Sequence, residues 1–319
     1  MTSAVRAAVV AVAVWAAAAG ETTGQGLTYN KGQPVLPAFE GWDRNPDGSF
    51  NLIFGYMNRN WEEQPTIPVG EDNWFSPGEM DRGQPTHFLP RRNRFVFKVR
   101  VPADFGDQEL VWTLRSRGTE TVAIGSLRPD YYVDNVVIMS ETGALGAGTS
   151  SPELRAQKPP SVMLESPREV DARVGEPVRI VAWVTDDGLP EKNAGRLPLT
   201  EDGKLDYERA TQRIPSRITV QKVNGLYMSW FVYRAPENVD AREVVEFDPP
   251  QVHPWEDTRP YSNSPWASFW IPPTPPADDR WITEVTFDRP GTYVLRGRAD
   301  DGGLYTDEEI IVNVRGPLS

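Results

Sequence analysis

His87 and His253 are the only imidazoles in the chain, and there is no cysteine. Thiol nucleophiles, disulfides and cysteine-ligated metals are thereby excluded. Acid–base work by histidine has two candidates. A catalytic triad would also need an activated serine, and no Gly-x-Ser-x-Gly turn occurs, so each histidine is expected to be structural or exposed and no catalytic residue is assigned. Two Asp-Asp-Gly runs, Asp186-Asp187-Gly188 and Asp300-Asp301-Gly302, each follow an apolar alternating segment. Adjacent carboxylates repel unless they are hydrogen-bonded or share a cation. The one metal that Asp186, Asp187, Asp300 and Asp301 suit is a hard, oxygen-ligated ion such as Ca²⁺ in a structural role. The competing reading is that each Asp caps its own tight turn. No other cofactor is expected.

Trp255, Tyr261, Trp266, Phe269 and Trp270 fall within sixteen residues, among prolines. Held in a stiff loop, such rings could stack on sugars or on a partner protein. Trp255, Tyr261, Trp266 and Trp270 are therefore the ligand-binding candidates. The alternative is that they lie down on the fold as a satellite core, because an ordered loop of this length needs something to bury. Asp43–Gly48 has the Asp-x-Asn-x-Asp-Gly start of a calcium loop. Its twelfth position, however, is Phe54 where a bidentate Glu is required, which favours a hairpin turn. No glycine-rich phosphate loop is present.

The elements that must position these residues are strands. The chain has 319 residues, enough for about two domains. Thirty prolines, 26 glycines and 10% aromatic residues point to a turn-rich β protein. Acids outnumber bases 45 to 33, for a net charge of −12, which argues against nucleic acid or an anionic membrane as partner. Residues 1–19 carry Arg6 ahead of a 13-residue apolar run, Ala7–Ala19, that ends in small residues. This pattern predicts a signal peptide and an exported chain, periplasmic or extracellular. No later segment is apolar enough to cross a membrane as a helix.

Phe50, Leu52, Phe54 and Tyr56 share one face of a strand. Phe95, Phe97, Val99 and Val101 are expected inward on another, with Val96, Lys98 and Arg100 outward. Val178–Val184, Met228–Val232, Tyr293–Ala299 and Ile310–Val314 alternate in the same way. Trp112, Trp183 and Trp230 sit on such strands and are expected in the core. The reading is all-β, two antiparallel β-sandwich domains in tandem. The first spans 27–141, a linker 142–160, and the second 161–315, with insertions at about 190–215 and 234–280 and a short helix near Lys204–Thr211. The second insertion, Arg234–Arg280, holds ten prolines and three tryptophans, so it cannot be a run of central strands.

Two resemblances add to this. Gly175–Pro190 (GEPVRIVAWVTDDGLP) and Phe287–Val314 (FDRPGTYVLRGRADDGGLYTDEEIIVNV) resemble the early and final strands of PKD and immunoglobulin-like modules. That likeness implies a sandwich with Tyr293 as a tyrosine corner and Leu295 in place of the second cysteine of an antibody domain. Phe54–Asn60 (FGYMNRN), Ile67–Phe97 and Leu110–Leu114 resemble a secreted bacterial module of unknown role. The functional expectation is an exported, non-enzymatic binding or structural module that recognises a glycan or an envelope protein. The alternatives are a carboxylate-dependent hydrolase acting on an extracellular polymer, or an envelope assembly component.

Overall fold

A computed structural model describes residues 29–142, 151–192, 198–202, 204, 206, 208–209, 222–259, 262–267 and 270–316. The expected signal peptide, Tyr261 and Phe269 lie outside the described residues, and the helix expected near Lys204–Thr211 lies partly outside them. The fold is all-β, and the described residues form four sheets.

In the N-terminal half, β1 (Val35–Arg44), β2 (Phe50–Asn58) and β4 (Arg91–Val101) form one antiparallel sheet in the order β1-β2-β4. β3 (Asn73–Ser76), β5 (Leu110–Ser116) and β6 (Thr119–Gly125) form the second, in the order β3-β5-β6. Asp43–Gly48 is the β1–β2 turn, closed by Asn45 N donating to Ser49 O at 2.8 Å. Leu52, Phe54, Tyr56, Phe75, Phe97, Trp112 and Leu114 meet between the sheets. The Trp112 indole N–H donates to Asn73 Oδ1 at 2.9 Å, and the Asn73 amide in turn reaches the Ile67 and Pro85 carbonyls. The buried polar groups thus satisfy one another.

The strict alternation expected for β4 is broken. Phe54 pairs with Phe97 but Tyr56 pairs with Asn93, so one residue of β2 stands opposite three of β4. This bulge turns Phe95 away from the main core to pack with Ile53 and Val133, and it brings Val96 into that core. Both placements correct the sequence reading: the bulged residues leave the alternation, while Phe97, Val99 and Val101 keep the inward face expected of them.

A single turn of 3-10 helix (Pro129–Tyr131), α1 (Asn135–Thr142) and α2 (Pro152–Arg155) lead into the C-terminal half. There, β7 (Ser161–Leu164), β9 (Val178–Thr185), β11 (Val245–Asp248) and β12 (Arg280–Phe287) form a sheet in the order β11-β12-β9-β7. β8 (Glu169–Arg173), β10 (Tyr227–Arg234), β13 (Gly291–Asp300) and β14 (Tyr305–Arg315) form its mate in the order β10-β13-β14-β8. β8 and β14 are the one parallel pair among these strands. Ile180, Ala182, Trp230, Phe287, Tyr293, Leu295 and Ile310 fill the space between. The Tyr293 hydroxyl donates to Arg289 O at 3.0 Å, which is the tyrosine corner. β12 is a strand that the alternating segments above do not include: Thr283, Val285 and Phe287 face inward between the polar Glu284 and Thr286. Trp183 is half-buried on the outer face, where its N–H donates to Glu165 Oε2 at 3.0 Å, so it is not the core residue expected.

The two halves share a buried face. Arg296 and Arg298 on β13 point away from the sandwich core, and alternation alone would solvate them. They are instead 7% and 8% exposed. Each stands directly opposite an acid on β14, Glu309 and Asp307. Arg298 grips Asp307 with two bonds of 2.8 Å. Arg296 donates to Glu309 and to the Val96 carbonyl, while the Tyr305 hydroxyl donates to Phe95 O at 2.5 Å. The β4 bulge therefore supplies two of the carbonyls that dock the second sandwich.

Candidate functional site: a cleft at the junction

At the rim of this junction is a cleft of about 530 Å³. Gln64, His87 and Leu89 contribute from the N-terminal half. β10, the short helix α3 (Ala241–Val244), β11 and Pro250–Trp255 contribute from the C-terminal half. β10 is an edge strand, and an open edge needs cover. The proline-rich insertion covers it: Gln251 Oε1 accepts from Trp230 N at 2.8 Å, and the Ser229 hydroxyl donates to Val252 O. Gln251 Nε2 donates back to Pro249 O at 2.6 Å. The insertion is therefore laid along the sandwich, and its 250–255 stretch becomes one wall of the cleft.

Both histidines line this one cleft, though 166 positions separate them in sequence. His87 is 2% exposed. Its Nε2–H donates to Gln64 Oε1 at 2.9 Å, and its Nδ1 lies 3.3 Å from the Thr66 hydroxyl. The backbone N–H groups of Thr86 and His87 both donate to Tyr233 O. Burial pushes the His87 pKa down to about 4, with Asp240 opposing and Arg242 reinforcing that shift. The ring is thus neutral across the physiological range. Burial also lowers the pKa of His253, which Asp257 opposes. The His253 ring is stacked on Trp255, with centroids 4.1 Å apart and planes 12° from parallel. The Trp255 indole N–H is buried without a hydrogen-bond partner. Around them stand the amides of Gln64, Gln251 and Asn263, the carboxylates of Glu243, Glu246 and Asp288, and Arg242. Arg242 is held by Asp240 and donates to Glu62 O at 2.6 Å across the junction.

The aromatic candidates separate. Trp255 belongs to the cleft. Trp266 and Trp270 do not line it; at 7% and 6% exposed they are as buried as Trp255 at 6%, and Trp270 joins Tyr227 and Ala267 in the satellite core. Trp270 packs edge-on to Tyr227 at 5.1 Å, and Lys222 Nζ lies 5.6 Å from the Trp266 ring centre. The cause is local. Tyr227 and the buried Lys222–Asp300 ion pair at the start of β10 need an apolar lid.

The aspartates converge on one end of the second sandwich. Asp300 is paired with Lys222, and its Oδ1 caps Gly302 N at 2.8 Å. Asp187 accepts from Lys158 N and Leu189 N, at 2.9 and 3.0 Å. Asp186 Oδ2 accepts from Gly188 N at 2.9 Å. Asp301 Oδ1 caps Gly303 N and Leu304 N, and its Oδ2 meets Gln157 Nε2 at 3.4 Å. Burial raises the Asp301 pKa to about 8; the charges of Asp300 and Asp186 add to this, and the capping N–H groups oppose it. Each Asp does cap its own turn, as the simpler sequence reading held. Among the described residues no three His, Cys, Asp or Glu side chains converge as a metal cage, and no helix is long and apolar enough to cross a membrane.

No protein-family model and no curated protein matches the chain. Solved structures that share some similarity include the SrpA adhesin of Streptococcus sanguinis (14% identity over 50% of this chain and 58% of that one, TM-score 0.23). The Yersinia pseudotuberculosis adhesin InvE is 10% identical over 91% and 61%, with a TM-score of 0.22. The fibronectin(III)-like modules of Clostridium thermocellum CbhA are 9% identical over 92% and 93%, also at 0.22. The chain spans less than two thirds of the two adhesin structures. At these TM-scores the likeness carries no argument, and the functional reading rests on the chain's own geometry.

Proposed function

We propose that the chain is an exported, non-enzymatic binding module that holds a glycan in the cleft between its halves. The observation that carries this reading is the His253–Trp255 stack: a flat, two-ring wall in a cleft. A sugar offers what such a wall can take, an apolar C–H face to lie along the half-buried His253 ring. The amides of Gln64, Gln251 and Asn263 and the nearby carboxylates suit the remaining hydroxyls. The volume falls in the usual range for small-molecule sites, about 300–1,000 Å³.

Thermal unfolding of residues 20–319 against a panel of cell-wall and plant oligosaccharides tests it. A specific ligand at about 100 times its Kd adds about 2.7 kcal/mol. His253→Ala and Asn263→Ala should each lose most of that increment while keeping the unliganded Tm close to the parent's. Failure of every glycan to shift the Tm, or an undiminished shift in both variants, sinks the reading.

A further inference from the structure

Away from the cleft, three oxygen atoms at the α2 end of the second sandwich lack a satisfactory donor. Gln157 is 3% exposed, and its Oε1 is buried with no hydrogen-bond partner. Asp186 Oδ1 is likewise buried without one. Asp301, 1% exposed, has only the 3.4 Å contact from Gln157 Nε2 at its Oδ2. Unlike Asp300, which Lys222 neutralises, Asp186 and Asp301 are otherwise held by backbone N–H groups. The three residues come from three separate segments, and the chain itself clamps these together. Gln157 touches Asp301 while the next residue, Lys158, donates its N–H to Asp187. Consecutive residues thus bridge both Asp-Asp-Gly turns.

We propose that Gln157, Asp186 and Asp301 are the protein ligands of a structural Ca²⁺ site that ties the entering segment to the ends of β9 and β13. The chemistry selects the ion. Two carboxylates and one amide are all-oxygen and hard, and no nitrogen or sulfur ligand is among them. The Gln157 amide turned about its last bond exchanges Nε2 for Oε1 and offers its oxygen beside the Asp301 carboxylate. A neutral site would hold the amide nitrogen there; a cation favours the oxygen. Three protein side chains leave several positions of a six-to-eight-coordinate ion to water and backbone carbonyls. That places the affinity with extracellular modules, at a Kd of about 10⁻⁴–10⁻³ M. Mg²⁺, which needs tighter octahedral geometry and gives up water reluctantly, is a poor fit.

The test is calorimetric titration of the full chain with CaCl₂ and, separately, MgCl₂, paired with thermal unfolding in Ca²⁺ and in EDTA. One Ca²⁺ per chain is expected, with a Tm that rises in Ca²⁺ and is indifferent to Mg²⁺. Asp186→Asn keeps the acceptor for Gly188 N, and Gln157→Leu keeps the side-chain volume. Each should weaken Ca²⁺ at least tenfold, with both chains still folded in EDTA by circular dichroism. Absence of binding up to about 10 mM, ten times the weak end of the expected range, overturns the proposal. So does unchanged affinity in both variants. Neither result bears on the cleft, whose glycan shift is read in EDTA.

Discussion

The guanidinium of Arg296 lies 3.4 Å from the centre of the Tyr233 ring. Both residues belong to the second sandwich, yet both end on the first: Arg296 donates to Val96 O, and the Tyr233 hydroxyl donates to Gly83 O at 2.5 Å. Burial pushes the Tyr233 hydroxyl up to about 12, with Arg296 acting against that rise, so it remains a donor at any working pH. The two halves are thus joined through hydrogen bonds from the two members of a desolvated cation–π pair.

Arg296→Met should therefore uncouple the halves. It strands the Val96 carbonyl, at about 1–3 kcal/mol for a buried unsatisfied group, and removes a desolvated cation–π contact of about 2 kcal/mol. Urea unfolding followed by tryptophan fluorescence and near-UV circular dichroism should show one transition in the parent and two in the variant. Arg315→Met breaks an exposed pair with Asp171 and should change stability by less than about 0.5 kcal/mol. Equal effects of the two substitutions would show that the junction carries no stability of its own.

Gly297 stands opposite Trp230 in the β10–β13 ladder, where the indole lies across the glycine. A Cβ at 297 would come within 2.5 Å of Met228 Cε and 2.8 Å of the Trp230 ring. Both neighbours are core, so neither can swing away freely. Gly297→Ala should cost about 1–3 kcal/mol by overpacking, read as a lower urea midpoint at unchanged m-value. A neutral Gly297→Ala would mean that the Trp230 ring is not where its pairing places it.

Acid should loosen the junction through His87. Its folded pKa, about 4, lies below the ordinary value near 6.5. The unfolded chain therefore binds the proton first. The stabilisation is complete above pH 6.5 and is lost as pH falls from 6.5 towards 4. The gap corresponds to about 3 kcal/mol at full loss. Asp240 and Arg242 are the charges that face this ring, and both carry over unchanged in His87→Gln. Stability measured from pH 7.5 to 4 should fall less steeply in that variant than in the parent. Parallel curves would remove His87 from the pH response.

The strands that alternate cleanly were legible in the sequence. Phe50–Tyr56, Tyr293–Ala299 and Ile310–Val314 face as expected, because a period-two row of large apolar side chains fits the sandwich core in a single register. What stayed hidden came from the junction. Arg296 and Arg298 read as a solvated face, and nothing local says that another half of the chain will cover it. The β4 bulge that meets them, at Arg94–Val96, is a tertiary device placed inside a segment that the sequence gives as alternating. His87 and His253 show the same limit, since no spacing rule joins residues that only the docking of two halves brings to one cleft. Trp266 and Trp270 could be read two ways from sequence, and Lys222, the buried charge they help cover, carried no local signal.

Trp266 and Trp270 therefore give the sharpest contrast with His253. In a stacking loop, cutting either indole to Ala would abolish ligand binding and leave Tm nearly untouched. In this structure Trp270 is buried against Tyr227 and Trp266 lies beside Lys222, and truncating a buried aromatic costs about 3–5 kcal/mol. Trp270→Ala should lower Tm by many degrees. At a temperature where it remains folded, it should still bind whatever glycan the parent binds, because the cleft wall is built on Trp255. His253→Ala should do the reverse. A Trp270→Ala protein with parental Tm and no ligand response would move the binding surface to the outer face of the insertion and empty the cleft of its assigned role.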